Sequence, residues 1–189
     1  VGGAERELLE DALESVPVEI THVGTGLRFE GAHDGYRRTH GLTHARVLEL
    51  GFDGRSLSGE DLLMTLDDAD RKRFDRRMDE ARLAGLPWQL RFHLHPEVDA
   101  ELDMGGHAVS MALRSGEVWV FRTDQATELT LEPSVYLEKG RLRPRAAKQV
   151  VLSGRAMEYA TRIRWSLAKA QDTAIAVRDL VTEDAEPTH

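Results

Sequence analysis

The stretch "HARVLELGFDGRSL", from His44 to Leu57, carries the strongest short-range hairpin signal in this chain. The residues on both sides of Asp53 and Gly54 follow a period of two, which is typical of β-strands. Asp-Gly is also among the dipeptides most typical of a tight β-hairpin turn. The stretch therefore predicts two antiparallel strands that are joined at Asp53 and Gly54.

The same period of two occurs on both sides of this hairpin. Upstream, Val18, Ile20 and His22 share one face of "VEITHV", and Leu27 and Phe29 share one face of "LRFEG". Beyond Pro87 the pattern predicts further short strands over residues 89–95, 99–103, 108–113, 117–122, 128–131, 134–137, 145–152 and 161–167. So many short strands at hairpin spacing indicate an antiparallel β-sandwich or barrel.

Two segments have a helical period instead. Apolar residues recur at helical spacing between Ala4 and Ser15, which predicts a short helix within a lead-in of residues 1–17. A second helix is predicted over about 67–84, with Asp67 or Asp68 as its N-cap and Gly85 as its C-terminal stop. The expected layout is one β domain over residues 18–168 that contains this helix, followed by a polar tail over 169–189.

The composition excludes several classes of protein. A chain of 189 residues is long enough for one domain with a real core, and no stretch approaches the apolar length of a membrane span. A formal net charge of -8 argues against general binding to nucleic acid. Without cysteine there is no disulfide framework and no thiolate metal site. Redox chemistry therefore leaves the compartment unknown.

The histidine pair in "RFHLHPEV" is one candidate for a metal site. Positions two apart share a face of a strand, so His93 and His95 could bind one ion. With Gly85, Glu101 and Gly105 they resemble the order of the first cupin motif, although the gaps are longer and no second motif follows. The alternative is that both are strand histidines that make hydrogen bonds at a sheet surface.

The segment "HDGYRRTHGLTH", from His33 to His44, is unusually polar for a connection between strands. Histidine titrates near neutrality, and a tyrosine beside cations can abstract a proton from carbon, so His33 and Tyr36 are candidate catalytic residues. Alternatively, Asp34 and Gly35 form a hairpin turn and their neighbours are simply exposed.

A third candidate is a row of cations near the C-terminal end of the predicted sheet. Lys139, Arg141, Arg143 and Arg145 alternate with other residues, so they would point the same way from an extended chain. Such a stripe could bind a polyanion such as an acidic polysaccharide, and basic side chains also protect sheet edges from aggregation.

Six motifs, taken in order, resemble the C-terminal portion of bacterial heparinase II/III-like proteins. They are "HDGY" (33–36), "HGLTHARVLEL" (40–50), "DGRSLSGED" (53–61), "LRFHLHPEV" (90–98), "PSVYL" (133–137) and "KQVVLSG" (148–154). The resemblance implies a β-sandwich that follows an upstream α/α-toroid, with polysaccharide bound in the cleft between them. It also implies a polysaccharide lyase that acts by β-elimination on uronic acid units, and a chain of this length has no room for the toroid.

The resulting hypothesis is the β-sandwich domain of a heparinase II/III-like lyase, mainly β and antiparallel, with one or two short peripheral helices. Its expected partners are an acidic polysaccharide and an upstream toroid, without cofactor or metal. The candidate substrate-binding residues are Arg37, Arg38, Arg141 and Arg143. The alternatives are a non-catalytic carbohydrate-binding or interaction module and a cupin-type metal enzyme.

Overall fold

The computed structural model describes residues 13–24, 26–124, 127–140 and 143–170. These residues form strands, two α-helices and one 3-10 turn. The strands are β1 Val18–Val23, β2 Gly26–Tyr36, β3 Leu42–Gly51, β4 Ser56–Met64, β5 Leu86–His93, β6 Asp99–Asp103, β7 Ala108–Ala112, β8 Val118–Thr123, β9 Glu128–Tyr136, β10 Arg145–Ala156 and β11 Ala160–Lys169. The helices are α1 Arg37–His40 and α2 Asp68–Glu80, and the 3-10 turn is Met104–Gly106.

The strands form two antiparallel sheets that pack face to face. The larger sheet has eight strands in the order β1-β2-β3-β4-β11-β8-β7-β6, and the smaller has three in the order β5-β10-β9. This arrangement confirms the predicted antiparallel β-sandwich with short peripheral helices. Among the described residues, neither helix is long and apolar enough to cross a membrane.

The hairpin that predicted the fold class is present. β3 and β4 pair in register up to Leu50 and Leu57, and the chain reverses at Asp53 and Gly54. Gly54 has a φ of 64°, a left-handed conformation that glycine adopts without strain, and its N–H donates to the Gly51 carbonyl at 2.9 Å.

The core lies between the two sheets and is rich in aromatic rings. Trp165 of β11 stacks on Phe121 of β8, with ring centroids 5.6 Å apart, and meets Phe92 of β5 at 4.8 Å. Gly59 of β4 makes room for this indole, because a Cβ there would lie 2.2 Å from the Trp165 ring. Leu152 of β10 is completely buried in the same cluster.

A second, smaller core closes one end of the sandwich. Asp67 caps α2, since its side chain accepts the Asp70 N–H at 2.8 Å. Phe74 and Met78 of α2 are buried there and pack with a small apolar group from three strands, Leu42, Leu86 and Ala156. The helical segment predicted around 67–84 thus covers the end of the sandwich.

Three local predictions were wrong. Asp34 and Gly35 form no turn, because β2 continues to Tyr36 and the chain turns through α1. The strands predicted over 128–131 and 134–137 are one strand, β9, which accommodates Pro133 because it is an edge strand. Helix α2 ends at Glu80, well before Gly85.

The predicted lead-in helix falls mainly on residues 1–12, and the predicted tail mainly on 171–189, both outside the described residues. Residues 13–17 are not helical.

Candidate functional site

The pairing of three neighbouring strands brings two histidines and an aspartate together. His33 of β2 is the register partner of His44 in β3, and Arg46 of β3 is the partner of Asp61 in β4. Partner residues in an antiparallel pair point to the same face, and here that face looks toward the smaller sheet. The site therefore starts from strand register, although its members are far apart in sequence.

Asp61 is the buried anchor of this site, with no exposed surface. Its Oδ1 accepts hydrogen bonds from Nε2 of His44 at 2.6 Å and from Nε of Arg46 at 2.7 Å, and its Oδ2 accepts from Nε1 of Trp165 at 2.8 Å. Burial acts to raise the pKa of Asp61, but these three hydrogen bonds outweigh it and hold the pKa below its ordinary value. Asp61 is therefore an ionised carboxylate at neutral pH.

His44 connects this carboxylate to His33. The Nδ1 atom of His44 lies 3.0 Å from Nε2 of His33, and Nδ1 of His33 accepts the Gly35 N–H at 3.3 Å. Burial lowers the pKa of His33 below the ordinary histidine value of 6.5, and His44 adds to this effect. His33 is thus neutral at neutral pH.

Tyr36 brings the site to the surface. It is 48% exposed and its ring centroid lies 5.4 Å from that of His33. His40, at the end of α1, lies nearby, and burial together with the charge of Arg77 lowers its pKa. The two predicted catalytic residues, His33 and Tyr36, are therefore in contact, with a hydrogen-bonded carboxylate behind them.

A cavity of about 230 Å³ adjoins these residues, between the ends of the two sheets. Tyr36, His40 and His44 contribute polar atoms to it, whereas most of its lining is apolar. Trp88 also lines the cavity, and its indole N–H is buried without an acceptor among the described residues. The cavity is therefore suited to a small, mainly apolar group.

Arg37, a predicted substrate-binding residue, holds α2 in place. Its guanidinium forms ion pairs with Asp67 and Asp70, with Nε lying 2.9 Å from Oδ2 of Asp70. Asp70 is fully buried and also accepts from Arg73 at 3.0 Å and from the Leu66 N–H at 3.3 Å. A substrate anion would have to compete with two carboxylates for Arg37.

The other predicted substrate-binding cations lie far apart. Arg38 is exposed in α1 beside Tyr36, whereas Arg143 is exposed just before β10 begins at Arg145. β10 runs from Arg145 to Ala156, which lines the cavity near Tyr36, so Arg143 lies just beyond the far end of a strand that is roughly 35 Å long at about 3.3 Å per residue. Arg141 lies outside the described residues.

The histidine pair of β5 lies elsewhere in the sandwich. Nδ1 of His93 is 2.8 Å from the Ser134 hydroxyl, and His95 follows the end of the strand and packs its ring on Tyr136. Within the part of the chain that the structure describes, no group of three or more His, Asp or Glu side chains is placed to hold a metal ion. The geometry of the pair is that of surface histidines with hydrogen-bond and ring partners.

Comparisons with known proteins identify a family and several relatives. A heparinase II/III-like, C-terminal family model matches residues 4–166. Among curated proteins, FtsZ-localized protein C of Caulobacter vibrioides is 35% identical over 147 residues, which are 77% of this chain and 24% of that protein.

Two similar solved structures have low sequence identity. Heparan sulfate lyase HepC from Pedobacter heparinus has a TM-score of 0.62 at 10% identity, covering 84% of this chain and 22% of that chain. A heparinase III, the BT4657 gene product, has a TM-score of 0.60 at 11% identity, covering 87% of this chain and 23% of that chain. The chain thus spans about a quarter of each of these relatives, and the structural likeness shows a shared fold. The extent of the family match is decisive: the chain belongs to the heparinase II/III-like family and corresponds to its C-terminal domain.

Proposed function

We propose that this chain is the β-sandwich part of a heparinase II/III-like polysaccharide lyase and lines a site for an acidic polysaccharide at its Tyr36 end. The observation that carries the proposal is the exposed Tyr36 ring in contact with His33, followed directly in the chain by Arg37 and Arg38. Solved relatives of the same fold are heparan sulfate lyases, whose substrate is a polyanion.

The proposed chemistry is β-elimination. A base removes the proton at C5 of a uronic acid, a double bond forms between C4 and C5, the C4–O bond breaks, and the departing oxygen takes up a proton. Tyr36 is exposed and can reach a bound sugar, whereas His33 lies behind it and is neutral at neutral pH. In this proposal Tyr36 exchanges protons with the sugar, and His33 with its buried partners sets the position and polarity of the Tyr36 ring.

The remaining catalytic groups would come from an upstream α/α-toroid. Support for this comes from the lengths of the relatives, since the chain spans about a quarter of each. The cavity beside Tyr36 is too apolar for a charged sugar, so we place the polysaccharide across its mouth rather than inside it. An isolated chain is then expected to bind polysaccharide but to release no unsaturated uronate, which absorbs ultraviolet light.

Because the net charge is -8, binding to a polyanion must depend on local cations and must weaken with added salt. Arg38 follows Tyr36 by two residues and is more exposed than Arg37, so it is the first cation to test. We expect Arg38→Ala to lower the affinity for heparan sulfate several-fold in isothermal titration at low salt. Arg143→Ala tests the distant cationic stripe separately.

Arg162→Ala is the matched control, because Arg162 is a half-exposed arginine on the outer face of β11, paired with Glu60 at 3.3 Å. Equal affinities of wild type, the Arg38 variant and the Arg162 variant would remove the Tyr36 end from the proposal. Lyase activity is tested in the full-length protein, where Tyr36→Phe should abolish the ultraviolet signal while polysaccharide binding persists.

A second candidate function is a non-catalytic interaction module. It is favoured by the higher sequence identity to FtsZ-localized protein C, 35%, than to the lyases, about 10%. Direct binding of the purified chain to FtsZ, measured by co-sedimentation, together with no affinity for heparan sulfate would support this candidate over the first. Affinity for heparan sulfate without FtsZ binding would exclude it.

A further inference from the structure

We propose that Asp61, His44 and His33 form a hydrogen-bonded chain with one proton order, in which Nδ1 of His33 takes any added proton and thereby controls the position of Tyr36. The role of these hydrogen bonds in catalysis rests on the proposed function, because they would regulate the same site. The proton order itself follows from the contacts alone.

The position of each hydrogen can be assigned in turn, starting from the buried carboxylate of Asp61. Because ionised Asp61 can only accept, the Nε2 atom of His44 must carry a hydrogen. A neutral His44 then has a lone pair on Nδ1, which requires a hydrogen on Nε2 of His33. A neutral His33 in turn has a lone pair on Nδ1, where it meets the Gly35 N–H at 3.3 Å. With both rings neutral, every polar atom of the chain has a complementary partner.

A proton added to either histidine disturbs the contact between Nδ1 of His33 and the Gly35 N–H. If His33 takes the proton directly, its Nδ1–H faces the Gly35 N–H. If His44 takes it instead, His44 donates from both nitrogens, His33 must accept at Nε2, and the hydrogen of His33 again moves to Nδ1. Either way two donors oppose each other at Gly35, so the contact between His33 and Gly35 must break.

The broken contact lies where the backbone is already irregular. The pairing of β2 with β3 shifts register between His33 and Tyr36, and Gly35 is inside this irregularity. Loss of this contact leaves the backbone at Gly35 free to move. Gly35 directly precedes Tyr36, whose ring packs at an angle against His33. Protonation of the pair is therefore expected to move Tyr36 relative to His33.

Several charged or titratable groups surround His33 and set the pH at which this occurs. Asp34 acts to raise its pKa, whereas burial, His44 and Arg46 act to lower it. The groups on the elements packed around His33 are Glu14 of the N-terminal segment, Asp34 and Tyr36 of β2, His44 and Arg46 of β3, and Asp61 of β4. Since burial is the largest of these influences on His33, the transition belongs below the ordinary histidine pKa of 6.5.

Nuclear magnetic resonance of the ¹⁵N-labelled chain tests this order. At pH 7.5, long-range ¹H–¹⁵N spectra should show hydrogen on Nε2 of both His33 and His44 and on neither Nδ1. During acidification, the amide of Gly35 and the signals of Tyr36 should shift with the midpoint of His33. A hydrogen on Nδ1 of His44 at pH 7.5, or a Gly35 amide that stays constant through the His33 midpoint, would overturn the proposal.

Two variants make the result specific. His33→Gln removes the titrating ring, so the pH-dependent shift of the Gly35 amide should disappear. His22→Gln changes an exposed histidine of β1 and should leave that shift intact; its loss there would also count against the proposal. Because these readouts need no polysaccharide, they can succeed or fail independently of the proposed binding function.

Discussion

Trp165 and Asp61 are joined by a hydrogen bond of 2.8 Å between the indole N–H and Oδ2 across the neighbouring strands β11 and β4. The same indole stacks on Phe121 in the centre of the core. The buried carboxylate that orders the two histidines is therefore also a part of the hydrophobic core. Changes at either residue should affect both stability and the site.

Replacing Asp61 with Asn should destabilise the fold strongly. Asn keeps the shape but removes the charge, and its NH₂ group faces at least one of the three donors. Breaking a buried charge network from one side costs about 3–5 kcal/mol, which urea unfolding at pH 7.5 would measure. Glu60→Gln is the control, because Glu60 is the next residue on the opposite face and forms exposed ion pairs worth less than about 1 kcal/mol. Equal losses for the two variants would contradict the role of Asp61.

Stability should fall as the pH drops below the ordinary histidine pKa of 6.5. His33 and His40 both have lowered pKa values in the folded protein, chiefly from burial, so the unfolded chain binds more protons in this window. A further loss is expected below about pH 4, where the unfolded chain protonates its Asp61 carboxyl before the folded protein does. Urea unfolding between about pH 8 and pH 3 checks both steps. A free energy of unfolding that is constant from pH 7.5 to pH 5.5 would contradict the first.

Asp70 is expected to hold α2 against the Tyr36 turn. Asp70→Asn leaves Arg37 and Arg73 without their shared buried carboxylate and weakens the bond to the Leu66 N–H. We expect a loss of about 3 kcal/mol in the free energy of unfolding, with faster amide hydrogen exchange in α2 than elsewhere. Asp68→Asn, at an 89% exposed side chain of the same turn, should change stability little. Matching exchange rates in the two variants would show that the ion pairs of Asp70 do not hold α2 in place.

Gly59 should tolerate no side chain. An added Cβ would lie 2.2 Å from the Trp165 ring, so Gly59→Ala must displace the indole and should cost about 1–3 kcal/mol. The displacement should also change the tryptophan fluorescence. Gly24→Ala is the control, since a Cβ at Gly24 meets nothing within 4 Å. An unchanged melting temperature for Gly59→Ala would show that the indole can move without cost.

The fold was predictable from the sequence mainly where local chemistry agrees with tertiary structure. Asp53 and Gly54 form the predicted turn because Gly54 can adopt a positive φ and close the hairpin. The same dipeptide at Asp34 and Gly35 continues a strand, because non-local contacts compete with its turn preference. The Asp34 side chain accepts the Glu14 N–H at 3.1 Å. The sequence pattern around residue 34 cannot reveal a contact with a residue that is twenty positions away.

The site was predictable only at its exposed end. His33 and Tyr36 stand out in a polar cluster, whereas Asp61 follows Glu60 in an ordinary strand pattern and carries no local signal. Its partners His44, Arg46 and Trp165 are chosen by strand register, and a shift of one residue would turn each of them to the other face. The carboxylate therefore became apparent only with the three-dimensional pairing of β3, β4 and β11.

Chemical-shift mapping of the ¹⁵N-labelled chain with heparan sulfate would show whether the Tyr36 end of the sandwich binds acidic polysaccharide. The amides of Gly35, Tyr36 and Arg38 should shift progressively during the titration, while those of Arg162 and Arg164 on the outer face of β11 stay constant. Shifts confined to residues near Arg143, or no shifts at millimolar polysaccharide, would contradict binding at the Tyr36 end.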